Sequence, residues 1–391
     1  MAEMTRRERI MASARRQRAD RLPFFHWWRH MQDGFAEREA RNRGMGLCWL
    51  RPPYVERLHG VEVVETRAVV EGKSVIRRTF NTPVGSVFED EWRDPGVGQW
   101  KLNRSWRDVT PWQASRRIKE MEDYEVVKYI VENTEYVADY FPIEQAMDWL
   151  GEDGVVVANL PHSPMQMLMI DWVGSEGGRF FYHLADHPEV VEDLYQAISR
   201  SREPMYDIAA KSPAPIVMCG DNVDGFLAAP RLFEKYFLPE YDKEAALVHA
   251  QGKLMAVHMD GRLGALKRLI ARSPIDIVEA YHPPPMGDLP LADALAAWPD
   301  KAIWLGFPGA VYALGSQATR DLALELLRGA GTGDRLAIAA STENLVSNEN
   351  LLTLTSVLEK ATLPLTQQIV DQDRQGDGSG LANGADGIVG S

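Results

Sequence analysis

Two short stretches of this sequence carry side chains that could bind a metal ion or move a proton. The first is His258-Met259-Asp260, and the second is Glu279-Ala280-Tyr281-His282. An imidazole and a carboxylate two residues apart can converge on one ion, and nitrogen and oxygen donors together suit zinc or iron. The alternative is structural: Asp260 caps a helix that begins at Gly261, and His258 is a hydrogen-bonded wall residue. Both interpretations of the His258–Asp260 pair are open at this point.

Each of these stretches follows an apolar run that predicts a buried parallel strand. The runs are Leu254–Val257 and Ile275–Val278, and Leu263–Arg272 between them has apolar residues at helical spacing. Parallel α/β folds gather ligand-handling residues at the C-terminal ends of such strands. Glu279 ends a buried strand, where a carboxylate needs a partner, and Arg262 or a metal would serve.

Other predicted strands also end in polar side chains. Their exits supply His26, Trp28, Arg29, His162, Asp221, Asn222 and Glu343. In a barrel all of these exits face one end. Asp221 could act there as a general base or bind a cationic group, and it could equally shape the turn through bonds to the backbone. For His282, which begins a proline-rich loop, a structural role and a chemical one are both open.

Strands and helices alternate along most of the 391-residue chain. About eight such units predict the α/β class and a single closed (β/α)8 TIM barrel. An open doubly wound sheet is the competing architecture, but no GxGxxG follows an early strand. We expect residues 1–43 to form an N-terminal helix and the first strand, and residues 116–365 to form the rest of the barrel. Residues 366–391, rich in Gly, Asp and Ser, predict a disordered tail.

Residues 44–115 interrupt this rhythm. Two β-rich runs flank Glu71-Gly72-Lys73, which is a hairpin signal, and tryptophans follow at irregular intervals: Trp92, Trp100, Trp106 and Trp112. This pattern predicts a β-rich, Trp-rich excursion at the N-terminal side of the fold that covers the barrel mouth. The tryptophans either pack against the barrel or line a substrate pocket.

Composition excludes several classes of partner. The formal net charge is −13, from 43 basic and 56 acidic residues, which argues against nucleic-acid binding. Two cysteines suggest no disulfide framework and favour a reduced, cytoplasmic compartment. No apolar run reaches membrane-spanning length, so we expect a protein without a membrane partner.

The stretch from GDNVDGFLAAPRLFEKY to IVEAYHPPPMGD resembles the uroporphyrinogen decarboxylase superfamily, which includes cobalamin-dependent methyltransferases. The resemblance covers roughly residues 120–362 together with the opening RRERIMASARRQRADRLPFF, and it is most specific over residues 215–290. It implies a (β/α)8 barrel with its active site at the C-terminal mouth, and a tendency to dimerise.

This chain departs from both branches of that superfamily. The decarboxylases carry Arg-Gln-Ala-Gly-Arg where this sequence reads His26-Trp27-Trp28-Arg29-His30, and their Asp-Ser pair reads Asp221-Asn222. The methyltransferases bind zinc through His-x-Cys and a later Cys. Here His258-Met259-Asp260 keeps only the His, and the later position falls near Thr342-Glu343. The resemblance therefore implies neither a tetrapyrrole substrate nor activation of coenzyme M.

Our leading hypothesis is an enzyme that moves a methyl group from a small aromatic or amine donor to a corrinoid on a partner protein. Its catalytic residues would be Asp221, Asn222, His258, Glu279 and Glu343. Its substrate-binding residues would be His26, Trp28, Arg29, His162, Arg262, Tyr281 and His282. Zinc or iron would be bound by His258 and Asp260, and the protein would be a homodimer.

Two alternatives belong to other classes. One is a metal-independent decarboxylase of a small carboxylated substrate, in which Asp221 stabilises a developing cation and Arg29 holds a carboxylate. The other is a barrel that binds a small ligand without turning it over.

Overall fold

The computed structural model describes residues 3–28, 30–31, 34–92, 113–340 and 346–365. Eight of the described strands form a closed parallel barrel. They are β1 (Phe24–Trp27), β2 (Gly46–Arg51), β9 (Gly154–Leu160), β10 (Ile216–Cys219), β11 (Leu254–His258), β12 (Ile277–Tyr281), β13 (Ala302–Gly306) and β14 (Leu336–Ala339). Each strand pairs in parallel with the next in chain order, and β14 closes on β1. The prediction of a (β/α)8 barrel is confirmed, and all eight strand exits lie at one end.

The other described strands form two antiparallel sheets outside the barrel. They are β3 (Tyr54–Leu58), β4 (Glu62–Val70), β5 (Lys73–Thr82), β6 (Gly85–Trp92), β7 (Gln113–Ser115) and β8 (Thr134–Ala138). β3 pairs with β8, while β4 to β7 make one sheet in chain order. The hairpin predicted at Glu71-Gly72-Lys73 connects β4 and β5.

The first part of the predicted β-rich region belongs to the barrel. Gly46–Arg51 pairs in parallel with β1 on one side and β9 on the other. The sequence did not indicate that this strand belongs to the barrel, because the alternation of strand and helix patterns stops at Pro52-Pro53, directly after it. The excursion proper therefore begins after β2. Of its four tryptophans, Trp92 ends β6 beneath the Lys73 ammonium, and the other three lie outside the described residues.

Helices surround the barrel and close its N-terminal end. The longer helices span Arg6–Ala14, Phe35–Asn42, Asp123–Glu132, Phe141–Leu150, Arg179–Asp186, Pro188–Ser201, Glu203–Lys211, Leu238–Ala250, Lys267–Arg272, Leu291–Ala297, Ser316–Gly329 and Asn348–Leu358. Shorter helical segments are Gly151–Asp153, Pro164–Gln166, Met167–Trp172, Glu176–Gly178, Pro230–Leu232, Phe233–Phe237, Gly264–Leu266 and Gly309–Tyr312. A capping box of Thr5 and Glu8 begins the first helix. None of the described helices combines the length and apolar character needed to cross a membrane.

The apolar core has two layers. Alternate strand residues point into the barrel lumen, where Phe25, Trp27 and Trp304 contact one another with ring centroids 5.1–6.1 Å apart. The remaining strand residues face the helices. Phe80 and Val87 of the excursion belong to this outer layer. The excursion and the barrel therefore share one continuous core.

Candidate active site

His258 and Glu279 form the central pair of the site. They lie opposite each other, His258 as the last residue of β11 and Glu279 within β12, and His258 Nδ1 is 2.5 Å from Glu279 Oε2. The second carboxylate oxygen accepts a hydrogen bond from Trp27 Nε1 at 3.1 Å. Glu279 is 1% exposed. Its expected partner was Arg262 or a metal, but the ladder register brings the imidazole to it instead.

This contact holds His258 in its charged form. Burial by itself lowers the pKa of His258, but the charge of Glu279 and the contacts with Asp260 and Glu279 outweigh burial and raise the pKa to about 10. The ring is therefore an imidazolium at neutral pH, with 28% of the side chain exposed. Its Nε2 lies 3.7 Å from Asp260 Oδ2, which is longer than a hydrogen bond. Within the described part of the chain, Nε2–H is a donor available to a ligand.

Asp260 does not cap the helical segment that follows it. Asp224 Oδ2 accepts from the amide of Arg262 at 2.9 Å, and Asp288 Oδ1 accepts from the amide of Gly264 at 2.9 Å. These more distant carboxylates occupy the amides that we expected Asp260 to satisfy. Burial raises the pKa of Asp260, but its contact with His258 outweighs burial and lowers that pKa. Asp260 is thus the exposed partner of His258.

The expected metal ligands make an incomplete donor set. No group of three His, Cys, Asp or Glu side chains in the described ranges is placed to hold a metal ion. Glu279 already accepts from Trp27 and contacts His258, and a metal at His258 would have to displace a proton from the ring. Glu343 lies outside the described residues. The described donors make an incomplete set for zinc or iron, and metal binding by His258 and Asp260 stays a prediction.

A bulge in β12 turns Tyr281 away from the lumen. The pairing with β13 shifts between Val278 and Tyr281, and Ala280 has a φ of +54°. The extra residue breaks the alternation that would have placed Tyr281 beside Glu279. Instead its ring lies edge-on to Trp298, and its hydroxyl donates to the carbonyl of Leu289. Tyr281, expected to bind substrate, therefore packs between strand and helix.

β1 places His26 on the same outer side. His26 is buried against the helix Phe35–Asn42, with Nε2 3.3 Å from Glu37 Oε1. Its neighbour Trp27 faces the lumen and reaches Glu279, although we had not counted Trp27 among the substrate-binding residues. Counting the two-residue period from Phe25 would have identified it. Trp28 packs on Trp49 with ring centroids 5.1 Å apart, and Arg29 lies outside the described residues.

Asp221 is fully buried and structural in its contacts. Oδ1 accepts from the amide of Ser163 at 2.5 Å, and Oδ2 accepts from the hydroxyl of Tyr241 at 2.7 Å. The side chain therefore ties the exit of β10 to that of β9. This arrangement matches the turn-shaping alternative rather than a free general base.

His162 and Asn222 lie beside the hydrogen bonds of Asp221. Asn222 Nδ2 is 3.4 Å from His162 Nε2, and His162 Nδ1 is 2.7 Å from Asp171 Oδ2. Burial lowers the pKa of His162, but the hydrogen bond and charge of Asp171 outweigh it, so the pKa is raised. Two of the expected site residues thus meet here, in a group separate from the His258–Glu279 pair.

His282 and Arg262 complete the expected residues. His282 packs against Gly306 so closely that a Cβ there would lie 2.5 Å from its Nε2. Burial lowers the pKa of His282, and its buried Nδ1 has no hydrogen-bond partner in the described structure. Arg262 is at the rim, where its Nε is 3.1 Å from Asp224 Oδ2.

Burial raises the pKa of the Cys219 thiol, which suits a core residue rather than a nucleophile.

Comparison with known proteins supports the barrel. No family model matches the chain, and no curated protein matches it. Forty chains of solved structures do match. One is a methyltransferase from Methanosarcina mazei, with a TM-score of 0.54 at 12% identity, covering 95% of this chain and 100% of that one. Another is endo-glycoceramidase II from Rhodococcus sp. in a cellobiose-like imidazole complex, with a TM-score of 0.35 at 14% identity, covering 56% and 66%. The match to the methyltransferase shows that the two proteins share a fold. The TM-score of the glycoceramidase is too low to indicate even that.

Proposed function

We propose that this protein transfers a methyl group from the oxygen of a small aromatic ether to a corrinoid carried by a partner protein. The observation that carries the proposal is the position of His258 at the C-terminal end of the barrel, with one ring nitrogen held and the other open. Glu279 holds its Nδ1, while Nε2–H is left to donate to a bound ligand. The barrel shared with a methyltransferase agrees with this assignment as a matter of fold.

Cleavage of an ether requires a proton for the departing oxygen. The corrinoid enters as a second substrate and supplies the electron pair that takes the methyl group. The bond between methyl carbon and oxygen breaks, its electron pair stays on the oxygen, and His258 Nε2 gives that oxygen a proton. A phenol has a pKa of about 10, and the pKa of His258 is about 10. At neutral pH a phenol therefore keeps a proton, and an imidazolium hydrogen-bonded to the departing oxygen can supply it as a general acid.

Two neighbours would support this step. Glu279 keeps the ring oriented through Nδ1 and stabilises its charge. The partly exposed Asp260 lies 3.7 Å from Nε2, where it can help to return a proton from solvent to the imidazole. Trp27, which bonds Glu279 and packs on the buried Trp304, would give the pair an aromatic neighbour suited to a flat donor.

The Nε2–H donor favours an ether over a methylated amine. A quaternary ammonium donor releases a neutral tertiary amine, which needs no proton at the moment of transfer. The decarboxylase alternative required a free Asp221 carboxylate, but both of its oxygens are bonded inside the fold. Measured turnover separates an enzyme from the alternative of a barrel that binds a small ligand without converting it.

The test uses the full-length protein with 2-methoxyphenol and free reduced cobalamin without oxygen. We expect catechol to form, and we expect His258→Gln to lower its rate by about 100-fold or more, because the acid is lost. His249→Gln is the matched control, since His249 also pairs with a carboxylate, Asp276, at 2.7 Å. That pair lies at the start of β12, away from the strand exits.

Two outcomes would contradict the proposal. One is the absence of catechol above the level formed without protein. The other is turnover that His258→Gln and His249→Gln leave equally unaffected.

A further inference from the structure

A cavity of about 340 Å³ lies between the β-rich excursion and the barrel. Its walls come from the excursion strands, the helix Asp123–Glu132, the segment Met167–Trp172 and the end of the helix Pro188–Ser201. Its lining shares no residue with the His258–Glu279 site. The volume falls within the range of small-molecule sites, about 300–1,000 Å³.

Arg202 lines this cavity as a buried cation. It is 2% exposed, its Nη1 donates to the carbonyl of His162, and its Nη2 contacts Met167 Sδ at 3.1 Å. None of the described carboxylates is within ion-pairing distance of it. The side chain of Tyr136 is a third hydrogen-bonding neighbour of the guanidinium. A guanidinium has five N–H donors, so a carbonyl, a thioether and a hydroxyl still leave donors for a ligand. Arginines this deeply buried are ordinarily paired with an anion.

The surroundings of Arg202 supply no described counter-charge at bonding distance. The residue lies between the helices Pro188–Ser201 and Glu203–Lys211, so the carbonyl end of the first, which favours a cation, is opposed by the amide end of the second. The buried carboxyl of Glu244 acts on it only through space, and burial raises the pKa of Glu244 well above its usual range. Burial therefore disfavours the charged form of Glu244, and no ion pair joins this carboxyl to Arg202. The positive end of the cavity is therefore open to an anion.

The rest of the lining suits a flat body attached to that anion. Arg117 lies over the rings of Phe80 and Trp172, 4.1 and 5.3 Å from their centroids, and all three line the cavity. Arg117 is paired with Glu89 at 3.0 Å, so its charge is already balanced. Glu56 also lines the cavity. It disfavours a ligand with several negative groups, which leaves a single carboxylate as the best match.

We infer that this cavity is a second ligand site, which takes a small aromatic or apolar molecule bearing one carboxylate. The carboxylate binds Arg202, and the body packs among Phe80 and Trp172. The site does not depend on methyl transfer, because it uses none of the residues proposed for that reaction.

The test is calorimetric titration of the full-length protein with benzoate and with benzamide, its uncharged isostere. We expect benzoate to bind at least about tenfold more tightly than benzamide, because only the carboxylate can pair with Arg202. Arg202→Met should remove this preference. Arg272→Met should keep it, since Arg272 is an exposed arginine that pairs with Glu234 on the surface.

The lumen must be distinguished from the cavity, since the His258 imidazolium also attracts anions. Benzoate binding that persists in Arg202→Met, or that is lost in His258→Gln, would overturn the inference. If Arg202→Met fails to fold, tryptophan fluorescence is used instead. The contribution of Trp172 is the fluorescence of the wild type minus that of Trp172→Phe. Benzoate should change this contribution, and an unchanged contribution would overturn the inference as well.

Discussion

At the scale of single residues, the chemistry of the site depends on one charged pair. An imidazole with its ordinary pKa would be mostly neutral at physiological pH and would not carry the proton that the proposed reaction needs. The contact with Glu279 places the pKa of His258 at about 10 instead. The same carboxylate accepts from Trp27, so one buried side chain sets both the charge and the orientation of the acid.

This pair should make stability depend on pH. The pKa of His258 rises from 6.5 to about 10 on folding, so the stabilisation is complete below pH 6.5 and is lost as pH rises through 10. We expect the free energy of unfolding of the wild type to fall, relative to His258→Gln, by roughly 3 kcal/mol over this window. Urea unfolding at about pH 6, 8 and 10 measures the difference. Parallel pH profiles for the two proteins would contradict the charged pair.

At the scale of elements, the bulge in β12 decides what the lumen contains. Its extra residue keeps Glu279 inside and sends Tyr281 to the helices. Ala280 bears the conformational cost, because its φ of +54° lies in the left-handed region that favours glycine. The geometry of the His258–Glu279 pair and this backbone irregularity are therefore linked.

Substitution at Ala280 tests that link. Ala280→Gly should be neutral or stabilising within about 1 kcal/mol, because glycine adopts this backbone without strain. Ala280→Val should destabilise by about 2 kcal/mol or more and lower the pKa of His258, because Glu279 is displaced. Urea unfolding and an NMR titration of His258 read out the two effects. As a control, Ala256→Gly in the regular strand β11 should destabilise; equal effects of glycine at both positions would refute the strained bulge.

At the scale of the whole molecule, the excursion and the barrel are one packing unit. Phe80 and Val87 share a core with Tyr124 and Val126 of the helix Asp123–Glu132. The proposed anion site is assembled from both parts, so it exists only when they are docked. The corrinoid partner, the homodimer and the cytoplasmic location stay predictions.

Shared packing predicts one unfolding transition for both parts. Phe80→Ala should lower the midpoint of the whole transition, at a cost of about 3 kcal/mol, because a buried aromatic ring is lost. Val69→Ala in the same sheet should cost less than about 0.5 kcal/mol, since Val69 is 74% exposed. Thermal unfolding followed by circular dichroism and by tryptophan fluorescence should coincide. Two separate transitions, with only one shifted by Phe80→Ala, would show that the excursion folds independently.

Much of the architecture could be read from the amino-acid sequence alone. The eight-strand barrel, the hairpin at Glu71-Gly72-Lys73 and the polar exits of β11 and β12 follow from local periodicity, because strand and helix patterns repeat over a few residues. Parallel strands then place their exits at one end whatever the details of packing. His258, Asp260 and Glu279 could be singled out on that basis.

The tertiary structure decided which side chains meet. Glu279 pairs with His258 rather than Arg262 because ladder register, which no local pattern encodes, sets the neighbours across two strands. The outward turn of Tyr281 depends on one bulged residue, and Arg202 lacks a described carboxylate partner because segments distant in sequence enclose it. The identity of a buried charge can be read from a sequence, but its partner is determined by the folded chain.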